Sequence, residues 1–131
     1  MMDSKEIAQS LFEAMLAGDQ DTVATLLSPD IVWRAPAATP LHSGAVRGLD
    51  ELREVMGKID ATLDDQLRFT PTSIIAEGNM AAVISHNTAS REGAVLDLDM
   101  VFVLSIKDGK VVEVTEFPQS PDTWTSFWLS E

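Results

Sequence analysis

The chain contains no cysteine, only two histidines and fewer than half as many basic as acidic residues. Without cysteine it can form no disulfide, no thiolate nucleophile and no cysteine-based zinc site, and it is compatible with a reducing cytosol. Nine Lys and Arg against 21 Asp and Glu give a formal net charge of −12, which repels phosphate backbones. We therefore expect no nucleic-acid partner. The acidity is explained by solubility, and a preference for cationic or neutral ligands is the alternative.

Long apolar runs are also missing from the chain. No stretch approaches the length of a membrane span, and residues 1–6 lack the basic and apolar regions of a signal peptide. We expect a cytoplasmic protein without a membrane partner. Hydrophobic residues make up 45% of the 131 positions. A chain of this length and composition can bury one core and is too short for two. A single domain over residues 1–131 is the expectation.

Apolar residues recur at three- and four-residue spacing in the first half of the chain, which predicts helices. Asp3 or Ser4 is a suitable N-cap for the first helix, and Gly18 is a suitable end. Asp19 then caps a short second helix, and a third is predicted over 49–63. The first part of the chain is therefore mainly helical.

Strands dominate the rest of the sequence. A strand over 31–34 and a loop over 35–48 precede the third helix, and 121–129 is predicted as a last helix. Between these helices, short breaks that contain Gly separate four predicted strands, at about 66–76, 80–90, 95–106 and 111–119. The pattern predicts an α+β fold in which the N-terminal helices pack on a highly curved antiparallel sheet that wraps a cavity, a cone-shaped α+β barrel.

The order of these elements and several short motifs resemble the nuclear transport factor 2-like superfamily, in particular its SnoaL-like and ketosteroid-isomerase-like members. The motifs are Gly18-Asp19, Asp30-Ile31-Val32-Trp33, Arg47-Gly48-Leu49-Asp50-Glu51-Leu52, Ile106-Lys107-Asp108-Gly109-Lys110-Val111 and Thr115-Glu116-Phe117. The resemblance implies a small-molecule pocket inside the cone. It also implies a homodimer formed through the outer face of the sheet, and exposed apolar residues at Val101, Val103, Val111 and Phe117 would agree with that.

The resemblance does not carry over the ketosteroid isomerase reaction. The position of the family's Asp base is Ala35, the position of its oxyanion-binding Tyr is Leu11, and the position of its protonated Asp falls near Phe102. That reaction needs a carboxylate to abstract a proton and hydrogen-bond donors to hold the enolate. We therefore expect a different reaction or none.

The limonene epoxide hydrolases of the same superfamily offer a partial match. One Asp of their Asp-Arg-Asp set corresponds to Glu116, but residues 84–88 contain no Arg-x-Asp pair. His86 lies in that segment, and a neutral imidazole titrates near working pH, so we take it as a hypothetical second acid or base.

Strand alternation places Glu116 at the end of an apolar stripe with Val112 and Val114, which predicts a pocket-facing carboxyl whose pKa desolvation raises. The alternative is a Glu at a strand end that reaches solvent. His86 follows Ala82 and Ile84 on one face of its strand, so we expect it to point into the same cavity and to share a hydrogen bond with Glu116. A histidine with a purely structural role in the core or at an interface is the alternative.

Other residues are predicted to line the pocket or its mouth. They are Leu11, Met15, Trp33, Ala35, His42, Phe102 and Trp128. His42 lies in the Pro-containing loop, where it is either a surface imidazole or part of a lid. The aromatic residues are either core side chains or a stacking wall for a flat ligand.

We expect neither a cofactor nor a metal. Asp97 and Asp99 alternate with Leu98 onto the outer face of their strand, where solubility explains paired carboxylates better than a metal site does. The sequence thus favours a protein that binds a small hydrophobic, oxygenated molecule. The first candidate function is that of a cofactor-independent isomerase, cyclase or hydrolase with Glu116 as acid/base. The alternative is a non-catalytic ligand-binding or accessory dimerisation module of the same fold.

Overall fold

A computed structural model describes residues 2–40 and 43–129. The elements are α1 Ser4–Ala17, α2 Gln20–Leu26, β1 Leu27–Arg34, β2 Ala45–Arg47, α3 Leu49–Thr62, β3 Asp65–Glu77, β4 Met80–Arg91, β5 Ala94–Lys107, β6 Lys110–Pro118 and α4 Pro121–Leu129. The predicted order of helices and strands is confirmed. Strand β1 starts four residues earlier than predicted, and β2 falls inside the predicted loop.

The break between α1 and α2 follows from local chemistry. Asp3 and Glu6 form a reciprocal capping box at the start of α1, with Asp3 Oδ1 accepting from the Glu6 amide at 2.8 Å. Gly18 ends the helix with φ of 70°, a left-handed conformation that favours glycine. Asp19 then caps α2 by accepting from the amide and the hydroxyl of Thr22.

Six strands form one open, curved sheet in the order β2-β1-β6-β5-β4-β3. The predicted antiparallel meander from β3 to β6 is confirmed. The sheet also contains one parallel pair, because β1 runs parallel to β6. The sheet does not close into a barrel, since no pairing joins β2 to β3 among the described residues.

Two tight turns fix the register of the meander. Glu92 and Gly93 both have positive φ, as do Asp108 and Gly109, which is the requirement of a type I′ hairpin turn. The first turn pairs Arg91 with Ala94, and the second pairs Lys107 with Lys110. Each later pair of β4 and β5 follows by counting outward from the first turn.

A register shift in the β5–β6 pair corrects one assignment of faces. Ile106 pairs with Val111 but Ser105 pairs with Glu113, so Val112 is an extra residue. Val111, which simple alternation places on the outer face, is therefore fully buried at 0% exposure. Of the four apolar residues expected on the outer face, Val101, Val103 and Phe117 remain.

The core lies between the helices and the inner face of the sheet. Helix α1 crosses β3 and β4, α3 packs on β1 and β2, and α4 packs on β5 and β6. At its centre Phe102 makes edge-on contacts with Phe12, Trp33 and Phe69, at centroid separations of 5.1 to 6.3 Å. No described helix is long and apolar enough to cross a membrane.

Candidate functional site

A cavity of about 70 Å³ lies between α3, α4 and the inner face of the sheet. Helix α3 contributes the apolar side chains of Leu52, Val55, Met56 and Ile59. The walls are mainly apolar and aromatic, which is usual for small-molecule sites. Its position beside α3 was not evident from the sequence, because helical spacing identifies a buried face but not what that face covers.

Glu116 on β6 is the carboxyl group of this cavity. Its Oε2 accepts a hydrogen bond from the indole Nε1 of Trp33 on β1, at 2.5 Å. The parallel pairing of β1 and β6, with Trp33 opposite Val114, brings the two side chains together. Although the residue as a whole keeps some exposure, its carboxyl group is surrounded by protein.

Burial controls the protonation of this carboxyl. Desolvation raises the pKa of Glu116 to about 7, and the Trp33 hydrogen bond opposes part of that rise because it stabilises the anion. Both protonation states are therefore populated near neutral pH. A carboxyl group in that condition can take up or release a proton during a reaction.

His86 does not share this cavity, which corrects the prediction that it faces Glu116. Its Nδ1 lies 2.8 Å from Asp99 Oδ1 and its Nε2 lies 2.8 Å from Asp97 Oδ1, on the outer face of the sheet. Its side chain is 44% exposed. The Asp99 hydrogen bond is the main cause that raises the pKa of His86, and the Asp97 charge adds to it. The imidazole is thus held between two surface carboxylates.

The inward face of β4 carries two buried polar residues that sequence reasoning missed. Ser85 and Asn87 are 0% and 3% exposed. Ser85 Oγ donates to Asn87 Oδ1 at 2.9 Å, and Asn87 Nδ2 lies 3.2 Å from the thioether sulfur of Met100. Asn87 lines the cavity with Glu116. The structure therefore places an amide where the sequence predicted an imidazole.

The remaining predicted pocket residues divide into three groups. Trp33, Ala35, Phe102 and Trp128 line the cavity. Leu11 and Met15 are not part of its wall; they are buried in the core, because α1 packs on the sheet away from the cavity. His42 lies outside the described residues.

Helix α4 closes the cavity with Trp124 and Trp128. Arg91, at the end of β4, donates from Nη1 to the main-chain oxygens of Trp128 and Phe127, at 3.0 and 3.4 Å. These bonds satisfy carbonyls at the C-terminal end of the helix and fix it to the sheet. The indole N–H of Trp128 is buried and has no acceptor among the described residues.

With this geometry established, comparison with known proteins decides the family. Residues 8–114 match the family model of the SnoaL-like domain. The chain belongs to the SnoaL-like family. Among its relatives is Rv0034 of Mycobacterium tuberculosis, an uncharacterised protein 26% identical over 125 residues, which are 94% of each chain.

Solved structures show the same SnoaL-like architecture. A protein of unknown function with a cystatin-like fold from Xanthomonas campestris is 28% identical, with a TM-score of 0.90 over 98% of this chain and 99% of that one. IdmH, a proposed polyketide cyclase from Streptomyces antibioticus, is 21% identical, with a TM-score of 0.75 over 90% and 93% of the two chains. The second likeness shows the fold alone.

The SnoaL-like cavity of this chain has a sparse set of chemical groups. Of the cavity-lining residues that the structure describes, only Glu116 titrates. Within residues 2–40 and 43–129 no three His, Asp or Glu side chains converge as metal ligands. The polar residues of the cavity wall are therefore Glu116, Asn87 and Thr39, and the rest of the wall is apolar or aromatic.

Proposed function

We propose that this SnoaL-like protein binds a small hydrophobic, oxygenated molecule and acts on it as a cofactor-independent isomerase, cyclase or hydrolase, with Glu116 as general acid/base. One observation carries the proposal. The Glu116 carboxyl lies in an apolar cavity, is oriented by Trp33, and has a pKa raised to about 7 by burial. Buried carboxyls with such values are typical of catalytic acids and bases.

The shape of the cavity supports a flat, apolar ligand. Trp33, Phe102 and Trp128 offer aromatic surfaces, and IdmH of the same fold is a proposed polyketide cyclase. At about 70 Å³ the cavity is smaller than the roughly 150 Å³ that accommodates benzene in a protein core. A ring-sized ligand therefore has to displace wall side chains, and the flexible Met56 on α3 is suited to this.

A ligand screen with matched variants tests the proposal. Thermal shift against steroids, terpenoid epoxides and aromatic polyketides finds binders, because a ligand at about one hundred times its Kd adds about 2.7 kcal/mol of stability. Each binder is then assayed for turnover. We expect Glu116→Gln to keep binding and to lower kcat by about 100-fold or more, because the amide cannot exchange the proton.

Glu113→Gln is the matched control. Glu113 lies on the same strand, but its side chain is 42% exposed and forms a 3.7 Å ion pair with Arg34. We expect this variant to retain wild-type kcat, and the wild-type pH profile of kcat/KM to show an inflection near 7. Equal losses in the two glutamine variants would contradict a specific role for Glu116.

A non-catalytic ligand-binding protein is the second candidate. The observation that favours it is the position of His86, which leaves Glu116 without a titratable partner among the described cavity residues. For this function the same screen gives binding without turnover in the wild type, and Glu116→Gln changes affinity only.

We also propose that the chain forms a homodimer through the outer face of the sheet. Ile84, Val101 and Phe117 lie opposite one another on β4, β5 and β6 and form one apolar row. Phe117 is 54% exposed in the single chain. A second copy would remove this row from water. The superfamily that the sequence resembles contains members that dimerise through the same face.

A further inference from the structure

The indole N–H of Trp128 is a buried donor without an acceptor. Among the side chains that the structure describes, it is the one buried nitrogen or oxygen that lacks a hydrogen-bond partner. Trp128 is 6% exposed and lines the cavity. A buried polar group that loses its hydrogen bond to water destabilises the fold, so each such group in a native protein calls for an explanation.

The surroundings of Trp128 hold the indole in place. Its ring packs edge-on against Phe127 at 5.0 Å and tilted against Trp124 at 6.2 Å. Arg91 binds the carbonyl of the same residue. The unpaired N–H therefore belongs to a well-packed helix, and rotation of the ring to find an acceptor would break these contacts.

A second donor in the same cavity has only a weak acceptor. The amide nitrogen of Asn87 contacts the thioether of Met100 at 3.2 Å, and its oxygen is already bound to Ser85. Sulfur of this kind accepts hydrogen bonds poorly. Glu116 differs from these two donors because its carboxyl is an acceptor, and it accepts a hydrogen bond from the Trp33 indole. Both donors thus belong to residues that line the cavity.

We infer that the indole N–H of Trp128, with the amide of Asn87 as a second donor, recognises carbonyl oxygens of the ligand. The ligand class is then a flat ketone-type molecule, in preference to a hydrocarbon. This inference rests on the proposed function only in that the cavity binds a ligand. It does not require Glu116 to be catalytic.

The test compares 1-indanone with indane, which share a ring skeleton and differ in the carbonyl oxygen. Binding is measured by titration calorimetry, and the indole N–H signals are followed by ¹⁵N–¹H NMR. The chain has three tryptophans, so three single Trp→Phe variants assign them. We expect 1-indanone to shift the Trp128 signal downfield, and indane to leave it without a downfield shift.

Trp128→Phe removes the donor and keeps an aromatic wall. We expect it to weaken 1-indanone binding by about threefold to tenfold, the usual contribution of one hydrogen bond, and to affect indane much less. Trp124→Phe is the matched control on the same helix, and it should affect both probes equally. If Trp128→Phe does not fold, Trp33→Phe and Trp124→Phe still assign the third signal by elimination.

The outcomes separate the two proposals. Equal loss of both probes in Trp128→Phe, or an unmoved Trp128 signal in the presence of bound 1-indanone, overturns the inference and leaves the proposed pocket in place. Failure of the wild type to bind either probe overturns the ligand-binding cavity and the inference with it. A downfield Trp128 signal with selective weakening of 1-indanone in Trp128→Phe supports the inference, and loss of turnover of a screened substrate in Glu116→Gln separately supports the proposed catalytic role.

Discussion

At the scale of single residues, Trp33 positions and tunes the proposed catalytic group. Its indole donates to the Glu116 carboxyl and lowers a pKa that burial raises. Trp33→Phe keeps an aromatic ring and removes the donor, so the pKa of Glu116 should rise further above 7. ¹³C NMR titration of the glutamate carboxyls measures this directly. Trp124→Phe is the control, because Trp124 lines the cavity and no hydrogen bond joins it to Glu116 among the described contacts.

The same substitution separates positioning from packing. If Trp33 only fills space, Trp33→Phe and Trp124→Phe will leave the Glu116 titration unchanged. If Trp33 holds the carboxylate, the inflection of kcat/KM moves to higher pH with the pKa. A shift of the titration to lower pH would contradict the assigned hydrogen bond.

His86 makes the stability of the fold depend on pH. The neighbouring Asp99 and Asp97 raise its pKa above the ordinary value of 6.5, so the folded state favours the imidazolium. The resulting stabilisation is fully present below the unfolded-state pKa and is lost as pH rises through the folded-state pKa. Urea unfolding from pH 5.5 to 8.5 should therefore show a larger loss of stability in the wild type than in His86→Gln.

The comparison with His86→Gln isolates this one group, because the two proteins differ at no other side chain. Asp99→Asn should reduce the pH dependence as well, since it removes the largest cause of the raised pKa. Parallel stability curves for the wild type and His86→Gln would show that the carboxylate pair does not stabilise the imidazolium.

At the scale of the elements, substitution by alanine should change the free energy of unfolding in opposite directions at two glycines, one at a helix end and one inside a helix. Gly18 ends α1 with φ of 70°, whereas Gly57 lies inside α3, and neither has an atom within 4 Å of an added Cβ. Gly18→Ala should therefore destabilise by about 1 kcal/mol through backbone strain alone. Gly57→Ala should stabilise by about 0.5 to 1 kcal/mol. Urea unfolding measures both, and changes of the same sign would contradict the assignment.

The turn residues made the meander predictable, and they specify the face on which a side chain lies better than alternation alone does. A hairpin that pairs Arg91 with Ala94 also pairs His86 with Asp99. Since Asp99 was correctly expected on the outer face, the turn already required His86 to lie there. Alternation in β4 misled because its outer face carries Ile84 and other apolar side chains, while Asn87 lies inward.

Other features could not be obtained from local patterns. The extra residue Val112 reverses the faces at the start of β6, and the parallel contact of β1 with β6 joins residues more than eighty positions apart. The hydrogen bond between Trp33 and Glu116 depends on that contact. Alternation along β6 with Val114 predicts the inward position of Glu116, whereas its partner Trp33 is identified only by the tertiary structure.

At the scale of the whole molecule, charge and exposed apolar surface act against each other in the proposed dimer. A chain with net charge −12 repels a second copy, while the row of Ile84, Val101 and Phe117 favours association. Asp97 and Asp99 lie on the same face as this row. Because salt screens repulsion between exposed charges, the dimer should tighten as ionic strength rises.

Sedimentation equilibrium of the wild type and two variants tests this interface. Phe117→Asp places a charge in the centre of the apolar row and should raise the dimer dissociation constant by 100-fold or more, about 2.7 kcal/mol. Leu16→Asp is the control. Leu16 is 36% exposed on α1, so the variant carries the same added charge away from the sheet face. Leu16→Asp should dimerise like the wild type. A monomeric wild type at high salt would contradict the proposed homodimer, and equal weakening by both variants would contradict its placement at Phe117.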